Sequence, residues 1–320
     1  MLQEHGGTQI MTQNNKAVAL ASVSVASWMT VATAFKIALR ELSVYEMLLV
    51  ASVTALIVIS ISITASGKWG ELKKVSRKGW ECFALMGLIN PTAYYLVMFK
   101  AYDYLPAQIA QPVNYIWPIM LLVLLALFTG QKIPKKKYVG MLVSLGGLTV
   151  ISMGGSGIQE NLPAMGFVLA LGSALLWAVY WMLNDRYKDL ADESISLFIG
   201  FLSGTIYLVA GTLFVPVEYH SLSGVLSGVY IGLFEMGIPF LCFGTAIRMT
   251  SNPALINQMC YLAPFLSLFF ISMILHEPIM PTTYIGLALI IAGLIYNQYF
   301  SEAHLPKMHL HVRFHLPRLH

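Results

Sequence analysis

Gln111, Asn114, Tyr115 and Pro118 fall at i, i+3, i+4 and i+7 of one apolar stretch. A helix there carries two amides and a phenol on a single face. Asn257, Tyr261 and Pro264 repeat that face in constant register further along, with Gln258 beside it. Two more stretches contribute Asn90, Pro91, Tyr94 and Tyr95, and Glu235 with Pro239. Trp28, Trp177, Tyr180 and Trp181 add flat aromatic faces. Amides hold the polar groups of a small molecule while rings stack on its apolar body, so this set suits binding of an amphipathic metabolite. It does not suit bond cleavage: the chain has no Walker lysine motif, H-E-x-x-H pair or G-x-S-x-G elbow. No cofactor and no metal site is expected. The three cysteines, Cys82, Cys242 and Cys260, have no ligand spacing and read as small packing residues.

These residues lie in a chain built for lipid. Of its 320 residues, 57% are hydrophobic and only 11% charged, against about a quarter charged in soluble domains. The apolar runs reach the ~20 residues that a helical span needs. Ten candidates follow one another: 17–35, 44–64, 82–99, 107–128, 138–153, 165–183, 195–215, 225–246, 255–275 and 284–299. The fifth and tenth are the shortest. The runs are longer than barrel strands and do not alternate, so they predict helices. The first is read as a retained span and not as a cleaved signal.

Polar residues inside a span are costly unless they face the bundle interior, so the stripes above define a central cavity. Pro91, Pro118, Pro239 and Pro264 each remove a backbone donor and are candidate hinges. Glu235 is the acidic residue deepest within a span. It is a candidate coupling site that exchanges a proton or pairs with a substrate amine; the plainer alternative is a hydrogen-bonded structural carboxyl. Lys36, Lys100 and Glu46 lie near span ends and read as structural. Gly224, Gly228 and Gly232, and Gly200 with Gly204, form small-residue faces for helix packing inside the bundle or for a dimer contact.

The repeat organises the whole. Gln111, Tyr115, Pro118, Ile133, Gly140 and Gly147 recur as Asn257, Tyr261, Pro264, Ile279, Gly286 and Gly293. Gly87 and Ala101 recur as Gly232 and Ala246, one residue out of that register, and Ser24 and Trp28 recur more weakly as Ser173 and Trp177. The unit is five helices, an odd number, so the second copy enters the membrane from the other side. The expected fold is therefore an all-α membrane protein of ten helices in two inverted repeats, 16–153 and 154–300. Residues 1–15 and the His-rich tail 301–320 are expected to be disordered additions. Inverted repeats support alternating access.

With a cytoplasmic amino terminus, all of the 19 basic residues except Lys36, Arg40 and Lys100 face the cytoplasm. That satisfies the positive-inside rule and places both termini inside the cell membrane. The net charge of +4 then reflects topology and not nucleic-acid binding.

From Pro112-Val113-Asn114-Tyr115-Ile116-Trp117-Pro118 through Gly130-Gln131-Lys132, and again at Tyr261-Leu262-Ala263-Pro264, the sequence resembles the EamA branch of the drug/metabolite transporter superfamily. Within it the sequence is similar to aromatic-amino-acid exporters of the YddG type. The resemblance implies export of amino acids or related metabolites through a cavity lined by the first, third, fourth, sixth, eighth and ninth helices. Asn114, Tyr115, Trp117, Pro118, Tyr261 and Pro264 stand at its motif positions. Glu235 has no counterpart in that pattern. An exporter of drugs or other metabolites is the alternative within this fold; a membrane enzyme or channel is the alternative outside it. The topology is directly checkable: single cysteines at Lys73 and Lys136 are expected to resist an impermeant reagent added outside the cell, both alike. Labelling of one and not the other removes the duplicated arrangement.

Overall fold

The computed structural model describes residues 2–129, 135–155, 162–218, 221–250, 255–256 and 259–302, with side chains over residues 13–128, 135–151, 162–218, 221–250, 255–256 and 259–297. Asn257, Gln258, the Gly130–Lys132 motif, Ile133 and the histidine tail lie outside those described positions. Among the described residues the fold is all-helical. In chain order the helices are α1 (Leu2–Ala38), α2 (Val44–Ala65), α3 (Arg77–Gly87), α4 (Tyr94–Tyr104), α5 (Ala107–Asn114), α6 (Trp117–Thr129) and α7 (Lys135–Gly155). There follow α8 (Ala164–Tyr187), α9 (Glu193–Gly211), α10 (Leu222–Ile231), α11 (Ile238–Met249), α12 (Leu262–Leu275) and α13 (Pro281–Glu302).

Among the described residues, seven segments are long and apolar enough to cross a membrane: Gln13–Ala38, Val44–Ala65, Arg77–Tyr104, Ala107–Phe128, Ala164–Leu190, Glu193–Gly211 and Leu222–Met249. Leu262–Leu275 and Pro281–Asn297 are shorter apolar helices. The fifth expected span is α7, which opens on three lysines, Lys135 to Lys137. The protein is thus a multi-pass membrane protein, with seven clear spans among the described residues.

Several spans are broken by design of their sequence. α3 runs into α4 through a π-helical turn at Leu88–Ala93, where Asn90 leaves helical geometry (φ −136°, ψ 119°) ahead of Pro91. α10 runs into α11 through a second π-helical turn at Gly232–Gly237, and Pro239 opens α11. Asn90 and Glu235 hold equivalent places in these two turns, in the register that relates Gly87 to Gly232. Pro118 stands just inside α6 after the break at Tyr115–Ile116, and Pro264 just inside α12. A proline lacks an N–H, so the start of a new helical segment is where it costs least.

Hydrophobicity does not hold helices together inside lipid; close packing and buried hydrogen bonds do. α7 and α13 pack along one another through glycines. Gly140 meets Gly293, and Gly147 meets Gly286, so the helices run antiparallel. A Cβ at Gly147 would collide with the Gly286 carbonyl, and one at Gly286 with the Gly147 carbonyl. Ser144 Oγ donates to the Ile290 carbonyl between these crossings, at 3.0 Å. α9 crosses the π turn at Leu88–Ala93, with Gly204 against Pro91 and Gly200 against Gly87. α2 crosses the other π turn in the same fashion, Gly232 lying on Ala51 and Thr54 and Gly228 on Val50. Both small-residue faces therefore pack within the bundle. Ser52 and Thr205, hydrogen-bonded at 2.8 Å, tie α2 to α9.

Gly146 borders open space, whereas Gly147 has backbone against it. Gly147→Ala is expected to lower stability by about 1–3 kcal/mol through overpacking. Gly146→Ala should be neutral or slightly stabilising, since alanine is the better helix former. Thermal unfolding midpoints in detergent measure the pair; equal midpoints would show that the α7–α13 crossing does not depend on glycine.

Candidate functional site

α8 supplies the wall of the candidate site because its polar and aromatic residues keep helical spacing. Ser173, Trp177, Tyr180, Trp181 and Asn184 form one stripe. Trp177 lies against Tyr94 (ring centroids 4.4 Å apart), Tyr180 (5.6 Å), Trp181 (5.9 Å) and Phe240 (5.7 Å). Trp181 also meets Trp117 and Phe243, each at 6.5 Å. Trp28 on α1 reaches Phe243 at 5.5 Å and donates its indole N–H to the backbone carbonyl of Glu235 at 3.3 Å. These rings form one continuous aromatic cluster where α1, α4, α8 and α11 meet.

The polar residues expected in the cavity divide into two groups. Asn114 is buried: its amide donates to Ser173 Oγ at 2.9 Å, and its oxygen accepts from Tyr94 Oη at 3.3 Å. Gln111 accepts from Ser267 Oγ at 2.8 Å. These two amides therefore fasten α5 to α8 and α12. Glu235 is half-buried and its carboxylate accepts from Tyr95 Oη at 3.0 Å. Asn90 is different. It is 2% exposed, and neither its side-chain oxygen nor its nitrogen makes a hydrogen bond of ordinary geometry; the Tyr180 hydroxyl is the polar group that interacts with it. The indole N–H of Trp181 is also buried, and unpaired. Unsatisfied polar groups at such depth are costly, which makes these two candidates for contact with a ligand.

Two narrow clefts open beside the cluster. Asn90, Tyr180, Asn184, Ser196 and Phe201 border the first; Trp28, Tyr180, Trp181, Asn184, Glu193 and Phe243 border the second. The centre itself is packed ring against ring. Asn114 and Gln111, expected on the cavity face, bond instead to serines of neighbouring helices. Tyr115 and Tyr261 are half-buried in the same bundle but border neither cleft. Asn257 and Gln258 lie outside the described residues. Tyr95, Ser173, Asn184, Glu193 and Ser267 join the candidate site; of these Tyr95 stands out in the sequence beside Tyr94, Ser173 as the repeat partner of Ser24, and Asn184 as an extension of the α8 stripe.

Polar contacts close both ends of the bundle. At one end Lys36 Nζ donates to the carbonyls of Tyr102 and Leu105, the latter at 2.9 Å. Gln108 bonds the chain before α13, donating to Pro278 O at 2.9 Å and accepting from Thr283 Oγ1 at 3.2 Å. Burial pushes the nearby Glu277 carboxyl up from its ordinary value, against the pull of Lys36 and of the Gln108 and Ala107 backbone. At the other end Lys68 pairs with Asp192 at 3.0 Å and Arg248 with Glu193 at 2.8 Å. Burial disfavours the Asp192 carboxylate, but hydrogen bonds from Ser194 and Lys68 outweigh it and hold this carboxyl below its usual range. Cys82, Cys242 and Cys260 are free thiols. No group of three His, Cys, Asp or Glu gathers among the described residues in a way that holds a metal ion.

Apolar spans enclosing an aromatic, sparsely polar centre between two polar closures define a multi-pass membrane transporter. The chain belongs to the EamA-like transporter family, which it matches over residues 15–153 and 164–297. Its relatives include the uncharacterised transporter YvbV of Bacillus subtilis, 23% identical over 68% of this chain and 72% of that one. The aromatic amino acid exporter YddG of Ancylobacter novellus is 27% identical over 65% of this chain and 72% of its own. A probable terminal-alkyne amino-acid exporter of Streptantibioticus cattleyicolor is 25% identical, over 88% and 93%. A crystal structure with 20% sequence identity superposes with a TM-score of 0.66 across 90% of this chain and 99% of that one, a likeness of fold.

The two kinds of amide behave differently under mutation. Asn114→Ala strands the Tyr94 hydroxyl and is expected to lower stability by about 1–3 kcal/mol. Asn90→Ala removes a group that lacks a hydrogen bond of ordinary geometry and should leave stability unchanged or higher while weakening substrate binding. Detergent unfolding midpoints together with ligand-induced midpoint shifts test both; loss of stability in Asn90→Ala would mean that its carboxamide is a structural group.

Proposed function

We propose that this transporter exports a small neutral amino acid, aromatic by preference, by alternating access across the cell membrane. The observation that carries the reading is the mid-bundle aromatic cluster with two buried polar groups that make no hydrogen bond of ordinary geometry, Asn90 and the Trp181 N–H. Aromatic faces take the apolar side chain, and the open amide and indole take polar atoms of the head group. Trp28, Tyr94, Trp177 and Trp181 supply the faces; Asn90, Gln111, Asn114, Tyr115, Asn257, Gln258 and Tyr261 supply polar contacts in one or another state of the cycle. Two relatives named as amino-acid exporters support that cargo.

The architecture behind this reading is ten helices in two inverted repeats, 16–153 and 154–300, with both termini in the cytoplasm. Supporting it, the two π-helical turns lie within one residue of the repeat register, and each is crossed at glycine by one long helix, α9 or α2. α7 and α13 meet antiparallel at glycines that are themselves repeat partners. Lys68, Asp192, Glu193 and Arg248 share one end of the bundle, which the charge bias makes cytoplasmic. Movement turns on the breaks at Pro91, Pro118, Pro239 and Pro264. Glu235 is the coupling residue, exchanging a proton as its bond from Tyr95 forms and breaks. The chain acts as a carrier and not as an enzyme.

Uptake of a labelled amino-acid panel by reconstituted vesicles, with and without a proton gradient, tests the reading. Saturable movement of aromatic amino acids is expected, with Tyr261→Ala impaired but folded and Glu235→Gln losing only the gradient-driven component. Movement of drugs with no saturable amino-acid flux would favour a multidrug exporter of the same fold. Gradient-driven transport unchanged in Glu235→Gln would remove that residue from the mechanism.

A further inference from the structure

The cleft at the charged end has the chemistry of a binding site in its own right. Its walls are the rings of Trp28, Trp181 and Phe243, with Tyr180, Asn184 and Glu193 among them. Arg248 reaches Glu193 at 2.8 Å from the neighbouring helix α11. The side chain of Glu193 is 19% exposed and that of Arg248 is 44% exposed, so the acid is the recessed member of the pair. Arg248 makes this contact through Nε, and its guanidinium carries further N–H donors beyond that one. Helix α11 is shaped around the acid. A Cβ on Gly244 would land on the Glu193 carboxyl group, whose atoms are its three nearest neighbours. The unpaired Trp181 N–H lies in the same wall.

One recessed carboxylate, one guanidinium at the rim, a carboxamide and several ring faces are the complement of an apolar zwitterion. An ammonium group is the natural partner of Glu193 and the rings, where charge pairing and cation–π attraction add. A carboxylate fits the fork of Arg248. An ion pair whose only task is to tie α9 to α11 does not require a glycine opposite the acid, nor a cleft behind it. At the other ion pair of this end, Lys68 with Asp192, the acid is committed to Ser194 as a helix cap.

We propose that Glu193 and Arg248 form an entrance site that recognises the α-ammonium and α-carboxylate of the substrate before it reaches the mid-bundle cluster. The two side chains exchange each other for the zwitterion and re-pair once it has passed inward. This rests on the amino-acid reading above and adds which groups of the head are recognised, and by which residues.

The test compares phenylalanine with phenylalaninamide, which lacks the carboxylate, and with N-acetylphenylalanine, which lacks the ammonium. Each competes against labelled phenylalanine in counterflow by reconstituted vesicles. Wild-type protein is expected to prefer phenylalanine over either analogue by about tenfold or more, the worth of one charge-assisted hydrogen bond. Arg248→Gln should erase the preference over the amide and keep the preference over the N-acetyl compound. Glu193→Gln should do the reverse. A wild-type protein that moves phenylalanine and does not distinguish the three compounds overturns the entrance site without recourse to any variant. So do variants that weaken all three by one common factor, because a mere interhelical tie acts without regard to the ligand's charge. Wild-type vesicles that move no amino acid at all sink the amino-acid reading, and this site with it.

Discussion

In the hydrocarbon of a bilayer no water is at hand to satisfy a polar group, so each one must find a partner within the bundle. This constraint explains most of the cross-helix contacts. Ser52 meets Thr205, Asn114 meets Ser173, Gln111 meets Ser267, and Ser24 and Ser144 reach carbonyls of Pro239 and Ile290. Every one of these bonds joins different helices. They act where hydrophobic burial cannot, since lipid tails are as apolar as leucine. Glycine does the complementary work by letting α7 and α13 approach to backbone contact. Against that background Asn90 and the Trp181 N–H stand out, because they sit at the aromatic cluster without a hydrogen bond of ordinary geometry.

The broken helices follow from the same constraint. A π-helical turn frees backbone groups, and freed groups at membrane depth are tolerated only where protein or a cavity satisfies them. Near Leu88–Ala93, Thr92 Oγ1 takes up the Gly87 carbonyl at 2.9 Å. Near Gly232–Gly237, the Trp28 indole takes up the Glu235 carbonyl. Each break is thus stitched by one side chain, Thr92 from within its own turn and Trp28 from α1. Asn90 and Glu235, placed alike in the two turns, are then carried by whatever motion the turns allow.

Parts of this were legible in the sequence, and parts were not. Gly140, Gly147, Gly286 and Gly293 announced themselves because a close backbone crossing admits only glycine. Trp28, Trp177 and Glu235 were visible as polar or aromatic residues in mid-span. Their partners were not: nothing in the sequence pairs Tyr95 with Glu235, since that contact joins residues far apart in the chain. Asn114 and Gln111 were read correctly as facing inward, but an inward face does not say whether an amide meets ligand or a neighbouring serine. Ser173 and Ser267 decided that, and a serine in an apolar run carries almost no signal of which group it will meet. Glu193 sat at a helix start, where an acid is ordinary; only the fold brought it against Arg248 and Gly244.

The packed centre also constrains how a substrate can be held. Rings that touch one another at 4.4 to 6.5 Å leave no room for another ring between them. A ligand therefore enters by replacing protein–protein contacts with its own, and only a molecule of like chemistry does so without loss. An aromatic side chain can substitute for a tryptophan face, and a charged head group can substitute for one member of an ion pair. The contacts of Lys36 and of Gln108 at one end and the Glu193–Arg248 pair at the other are all polar, and a polar contact is given up at least cost to a group that replaces it in kind.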